Sequence, residues 1–274
     1  MLWVLLLGQL AHAGRIDDAC LETAAQGPPS DYSEAGQRSF LLNYFSLATT
    51  FSPLHAPVPA DSGTGSAGVE LAGIPPLGCK RRLVLDYTKT EDTNKTPVAP
   101  RIRTHFAFPR IGERLVPYAG LGYVPPVPLL GTQNVIVSGE FGFGMEARDG
   151  AGWQWGGRYH YTLMRTIAEI ATPFEDSDPA FDDFYVGSTM GFDAMFGYEL
   201  DRWTPYASVG VTHVYTFFHI GDSGVTPDNE TPFFGAVTSL GGQWQATERL
   251  TFSGELYAAP MVMLTGRLYL GWVF

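Results

Sequence analysis

Charged side chains make up only 16% of this 274-residue chain, against about 25% in soluble domains. Lys and Arg together number 17 against 28 Asp and Glu, a net charge of −11, and no basic stripe gathers the cations. Binding a phosphate backbone needs clustered Lys and Arg, so nucleic acid is excluded as a partner. After the first residues no apolar stretch approaches the roughly 20 needed for a spanning helix, so any membrane crossing must be made by strands. Heptads, long helical stripes and internal repeats are missing. So are a G-x-S-x-G elbow and an H-E-x-x-H motif. No phosphate-binding Gly loop opens a helix; Gly139-x-x-Gly142 and Gly241-Gly242 sit inside strand-like patterns. Cys and His show no metal-ligand spacing, and neither a metal nor a cofactor is expected.

Gly, at 32 residues, and aromatics, at 14%, are abundant. That mixture suits an apolar outside around a polar inside. The chain opens on an apolar run, Leu2 to Leu10, followed by Ala11-His12-Ala13, a small-x-small pattern. Residues 1–13 read as a signal peptide, although the positively charged start usual for one is lacking. Residues 14–38, rich in Gly, Pro, Ser and acids without periodicity, read as an N-terminal tail or partial plug. The two cysteines, Cys20 and Cys79, either pair as a disulfide, as export permits, or stay separate thiols.

From residue 39 onward, runs of period-two alternation are separated by Pro, Gly, Asp and Asn clusters, the strand signal. Twelve such runs cover 40–51, 68–74, 82–87, 101–108, 115–123, 135–145, 159–170, 184–200, 204–218, 233–245, 250–258 and 266–274. The connections alternate in length. Long, polar or Pro-rich ones occupy 52–67, 88–100, 125–134, 172–183 and 219–231; short ones occupy 75–81, 109–113, 201–203 and 246–249; two joints fit less well, 147–158 being long for a periplasmic turn and 259–265 short for an outer loop. Short periplasmic turns and longer extracellular loops are expected of an all-β, transmembrane, antiparallel up-and-down barrel, here of about twelve strands over 39–274. An even count sets both termini in the periplasm, where a Cys20–Cys79 bond would pin the tail across that mouth.

Parity assigns the two faces. Leu268, Leu270, Trp272 and Phe274 oppose Arg267, Tyr269 and Gly271; Ile102, Phe106 and Phe108 oppose Arg101, Arg103 and His105; Val137, Phe141 and Phe143 oppose Ser138 and Glu140. A soluble barrel would show the same alternation with inside and outside exchanged. Gly on the polar face, aromatic ends to the apolar runs and the exported start favour lipid outside. The run 159–170 shows no clean parity, which a bulge or a partly plugged lumen would explain.

The C-terminal Tyr269-Leu270-Gly271-Trp272-Val273-Phe274 resembles the assembly signal of bacterial outer-membrane barrels. That resemblance implies recognition of Tyr269, Leu270, Trp272 and Phe274 by the barrel-assembly machinery, and residence among the lipids of a Gram-negative outer membrane. The opening from Ser39 through Ala67-Gly68-Val69-Glu70-Leu71-Ala72, with its Pro-rich long loop, is similar to hydrophobic-substrate transporters of the long-chain fatty acid type. Those are larger barrels with a helical N-terminal hatch, which this tail is too short to supply in full.

The polar face collects Glu70, Arg82, Asp86, Arg101, Arg103, His105, Glu140, Asp193, Glu255 and Arg267. Either these form an ion-pair network filling a narrow barrel, with Glu255 and Arg267 pairing across a hairpin, or they line a water-filled path. Loop acids around 175–183 and 222–230 read as a diffuse anionic exterior. Three function classes stay open. The leading one is a passive channel or diffusion transporter for small, potentially hydrophobic solutes. The others are a structural or adhesive barrel with a filled lumen, and a hydrolase using Asp182, Asp183, His219 and Asp222 at the outer rim.

Overall fold

A computed structural model describes residues 16, 18–91, 97–126, 128–129, 132–147, 152–168, 183–219 and 229–274. The expected signal peptide lies outside these. Two short helical turns, Asp18–Cys20 and α1 (Leu21–Ala25), precede α2 (Glu34–Ala48). The wall follows: β1 (Gly65–Gly73), then, after a four-residue helix α3 (Cys79–Arg82), β2 (Val98–Ala107), β3 (Leu115–Val124), β4 (Thr132–Met145), β5 (Gly152–Ala168), β6 (Asp183–Glu199), β7 (Trp203–His219), β8 (Phe234–Thr247), β9 (Leu250–Ala259) and β10 (Met263–Val273). Each strand pairs antiparallel with the next, and β1 pairs with β10, so the sheet closes on itself. Closure leaves no free strand edge.

The barrel has ten strands, not twelve, and two of the expected runs explain the difference. The run at 40–51 is α2, capped by the Ser33 hydroxyl accepting from the Gly36 amide at 3.2 Å. Walled on every side, α2 buries Gln37, Ser39, Leu41, Leu42, Asn43, Tyr44, Ser46, Leu47 and Ala48. A helix enclosed in this way needs no apolar stripe, so its periodicity is hidden in the sequence. The run at 82–87 ends α3 and enters a two-residue ladder, Leu83–Val84 with Lys89–Thr90. Leu85, Asp86 and Tyr87 between them all have positive φ, which reverses the chain where a strand would continue.

This also corrects which end the N-terminal segment occupies. The strand ends at Ala107, Met145, Glu199 and Thr247 share one end of the barrel with the C-terminus, while Cys79 lies in the β1–β2 connection at the opposite end. There Gln37 bonds to the Arg81 carbonyl at 2.5 Å, Asn43 to the Thr231 carbonyl at 2.8 Å, and Tyr44 to the Pro75 carbonyl. Cys20 and Cys79 form a disulfide at this long-connection end, rather than across the periplasmic mouth. The chain then descends the lumen from α2 through residues 49–60 and leaves at the short-turn end. There the Gly63 amide meets the Ala107 carbonyl at 2.9 Å, and β1 begins at Gly65. Residues 34–60 are therefore a plug running the length of a barrel that starts at Gly65.

The outer wall is apolar. Phe141, Phe192, Tyr215, Leu240 and Leu268 are each at least 60% exposed, which water would not tolerate as one continuous belt. Trp153, Trp155, Trp203, Trp244 and Trp272 gather at the short-turn end as an interfacial girdle. Strand β5 alternates cleanly after all. Gln154, Arg158, His160, Thr162 and Met164 are buried, while Trp153, Trp155, Leu163 and Arg165 are exposed. An inward Met and an outward Arg blurred the sequence pattern, and its register with β4 and β6 is continuous, with no bulge.

The lumen as the candidate functional site

Wall strands present their polar faces to the plug at close range. A side chain at Gly144 would collide with the Pro57 carbonyl, one at Gly187 with the Ser46 hydroxyl, and one at Gly122 with the Phe51 ring at 2.7 Å. Lumenal glycine thus marks where plug and wall backbones come nearest.

The last carbonyls of α2 have no partner within the helix and carry the negative end of its dipole. Arginines of the wall meet them. Arg267 donates to the Thr50 carbonyl and, at 3.5 Å, to those of Leu47 and Ala48; Arg101 donates to the Thr49 carbonyl at 2.6 Å. Below the helix, Arg158 donates to the Phe51 carbonyl at 2.6 Å, and Arg103 to those of Ser52 and Pro53 at 2.8 and 2.5 Å. The Arg103 guanidinium lies 3.8 Å over the Phe51 ring. In the other direction the Leu54 amide donates to Glu255 at 2.8 Å, which holds Leu54 at a positive φ of 52°. The Ala56 amide donates to Gln243 at 2.8 Å.

Carboxylates balance the arginines. Glu70 sits 3.0 Å from Arg103, 3.8 Å from Arg267 and 4.0 Å from Arg101. Glu140 pairs with Arg158 and lies 2.9 Å from His105, 3.3 Å from His55 and 3.6 Å from Arg103. Asp193 lies 2.8 Å from Arg158 and 3.6 Å from His160. Four carboxylates, Glu70, Glu140, Asp193 and Glu255, therefore face four guanidiniums, Arg101, Arg103, Arg158 and Arg267, all buried. Charges at membrane depth are tolerable only in such a matched set.

The structure brings Glu70, Arg101, Arg103, His105, Glu140, Asp193, Glu255 and Arg267 together in the lumen. Two expected members lie elsewhere: Arg82, in α3, donates to the Glu91 carbonyl at 2.9 Å, and Asp86 is exposed in the left-handed turn. Glu255 and Arg267 are opposite in register, yet each side chain turns to the plug. Sequence reading missed Arg158, taken as part of a turn; His160, in the run of unclear parity; and His55, in what reads as a loop. The inward spacing of Arg158, His160 and Thr162 was the available signal. Asp182 and Asp222 lie outside the described residues, as do the loop acids at 175–182. Asp183 opens β6 and His219 closes β7. Of the C-terminal signal, Leu270, Trp272 and Phe274 face outward, while Tyr269 is lumenal, 3.1 Å from the Ser66 hydroxyl.

A closed antiparallel barrel with an apolar belt, an aromatic girdle and a charged interior is a transmembrane β-barrel of the Gram-negative outer-membrane class. No family model matches the chain, and no curated protein matches it. Among solved structures, it is similar to the attachment invasion locus protein Ail of Yersinia pestis, at 9% identity over 78% of this chain and 99% of that one, with a TM-score of 0.34. The Ralstonia pickettii toluene transporter TbuX aligns at 8% identity over 80% and 91%, TM-score 0.35. The Pseudomonas putida toluene transporter TodX aligns at 12% over 96% and 77%, TM-score 0.34.

Proposed function

We propose that this chain is an outer-membrane channel for small solutes, closed in the described state by its own N-terminal plug. The observation that carries this reading is the chemistry of the plug–wall boundary. At mid-height it consists of guanidinium–carbonyl and guanidinium–carboxylate contacts. A permanent filler gains more from apolar packing than from buried ion pairs, which contribute little net stability. Water can replace these bonds one for one, so a withdrawn plug would leave a hydrated lumen lined by both signs of charge. Such a lining suits small polar solutes rather than hydrophobic ones. The outward Leu270, Trp272 and Phe274 suit recognition by the barrel-assembly machinery.

A second reading, a structural or adhesive barrel, draws on the filled lumen and on the disulfide-tethered cap at the end that barrels of this class expose outside the cell. Uptake into proteoliposomes separates the two. Thr50 on the plug and Thr189 on β6 have hydroxyls 3.2 Å apart, so Thr50→Cys/Thr189→Cys locks the plug when oxidised. The channel reading expects uptake of a labelled small sugar or amino acid by the wild type and its loss in the locked pair. No uptake by the wild type would favour the structural reading, and equal uptake by both would place the path away from the plug.

A further inference from the structure

Three polar atoms converge in the lumen where the plug meets β2 and β4. They are His55 Nε2, His105 Nδ1 and Glu140 Oε1, on side chains no more than 3% exposed; Oε1 lies 2.9 Å from Nδ1 and 3.3 Å from Nε2, and none of the three has a well-aligned hydrogen-bond partner. All lie within 4.8 Å of one another. Buried polar atoms are nearly always well partnered, so one carboxylate oxygen facing two ring nitrogens, neither contact well aligned, calls for an explanation.

We infer that this is a metal site, taking a divalent transition ion of the zinc class between the plug and the wall. Two imidazole nitrogens and one carboxylate oxygen are a donor set for zinc or cobalt, whereas calcium and magnesium want oxygen alone. The surroundings divide the labour accordingly. His55 Nδ1 lies 2.5 Å from the Ala56 carbonyl, so it carries the ring proton and leaves Nε2 as a lone pair, as metal-bound histidines are usually held. Arg158 occupies Glu140 Oε2 and leaves Oε1 free for the two rings. Water fills the remaining coordination position.

Arg103 opposes ligation in two ways, one being its guanidinium 3.6 Å from Glu140 Oε1. Arg103 Nε–H donates to His105 Nε2 at 2.9 Å, which keeps the proton of the metal-free ring on Nδ1. On binding, that proton passes from Nδ1 to Nε2 and Arg103 gives up this bond, keeping those to Glu70, Ser52 and Pro53. No proton is gained or lost by the ring. Because His55 belongs to the plug and the other two ligands to the wall, the site exists only with the plug seated, and the ion fastens it there.

The test is to refold the untagged full chain with cobalt(II) in excess, desalt it, and read both metal content and visible absorption. One ion per chain with a tetrahedral cobalt spectrum is expected, lost in His55→Gln and in His105→Gln. His160, His213 and His219 remain in both variants as internal controls. Wild-type heat resistance should rise with cobalt, and that of the variants should not. A wild type refolded with cobalt that holds no stoichiometric ion would overturn the inference. So would variants that retain the ion with an unchanged spectrum.

Discussion

Glu70→Gln is the sharpest probe of whether the lumen is dry. Glu70 is fully buried on β1, and its two oxygens answer Arg103 at 3.0 Å, Arg267 at 3.8 Å and Arg101 at 4.0 Å. Glutamine keeps the shape and removes the charge, so Arg101 and Arg267 lose their nearest carboxylate, Arg103 keeps only Glu140 at 3.6 Å, and the four-against-four balance becomes an excess of one cation. Removing one partner of a buried pair costs about 3–5 kcal/mol, whereas removing an exposed one costs about 0–1 kcal/mol. The expectation for Glu70→Gln is the first range. In Glu70→Gln/Arg103→Gln the loss should be smaller than the sum of the single losses, since the second change removes one stranded charge. Equilibrium urea unfolding in lipid vesicles, followed by the fluorescence of the girdle tryptophans, reads these differences. A loss under about 1 kcal/mol for Glu70→Gln would mean a hydrated lumen and would refute the reasoning.

Gly144→Ala should displace the plug at Pro57, because the added methyl collides with a backbone carbonyl that no rotamer can move. A stability loss of about 1–3 kcal/mol is expected, with increased protease access to residues 49–60. Cys20→Ser/Cys79→Ser should leave the barrel folded and free its cap, since the disulfide spans 59 residues and joins the N-terminal segment to the β1–β2 connection. Trypsin should then cut at Lys80 and Arg81 faster than in the wild type, with stability lower by about 2–4 kcal/mol; unchanged cleavage would show that the cap is held without it.

Strands with an apolar outer face and a polar inner one were legible because lipid and lumen impose period two over long stretches. All ten wall strands overlap a run read from sequence, and the inward Arg101, Arg103, Glu140 and Arg267 follow from parity. The plug was not legible, for a physical reason. A helix inside a barrel is covered on all sides by a wall that is apolar at some positions and polar at others, so Leu42 and Leu47 pack on wall side chains while Ser39, Asn43 and Ser46 stand where an ordinary helix would continue its stripe. Mistaking α2 for a strand then changed the apparent number of crossings and put Cys79 at the wrong end. Arg158 and His55 escaped notice because their roles depend on that same plug. The Pro-rich segment after α2, which reads as a loop, is fixed by bonds to four distant arginines and to Glu255, partners that no local pattern reveals.

The central claim is that residues 34–60 fill the lumen, and cysteine pairing tests it most directly. In the refolded chain carrying Thr50→Cys and Thr189→Cys, oxidation should join the two positions in most molecules, because their hydroxyls lie 3.2 Å apart inside the barrel. Moving the second cysteine by one residue, to Met190 on the exposed outer face, should abolish the bond. Absence of pairing at 189, or equal pairing at 189 and 190, would contradict a plug seated in the lumen.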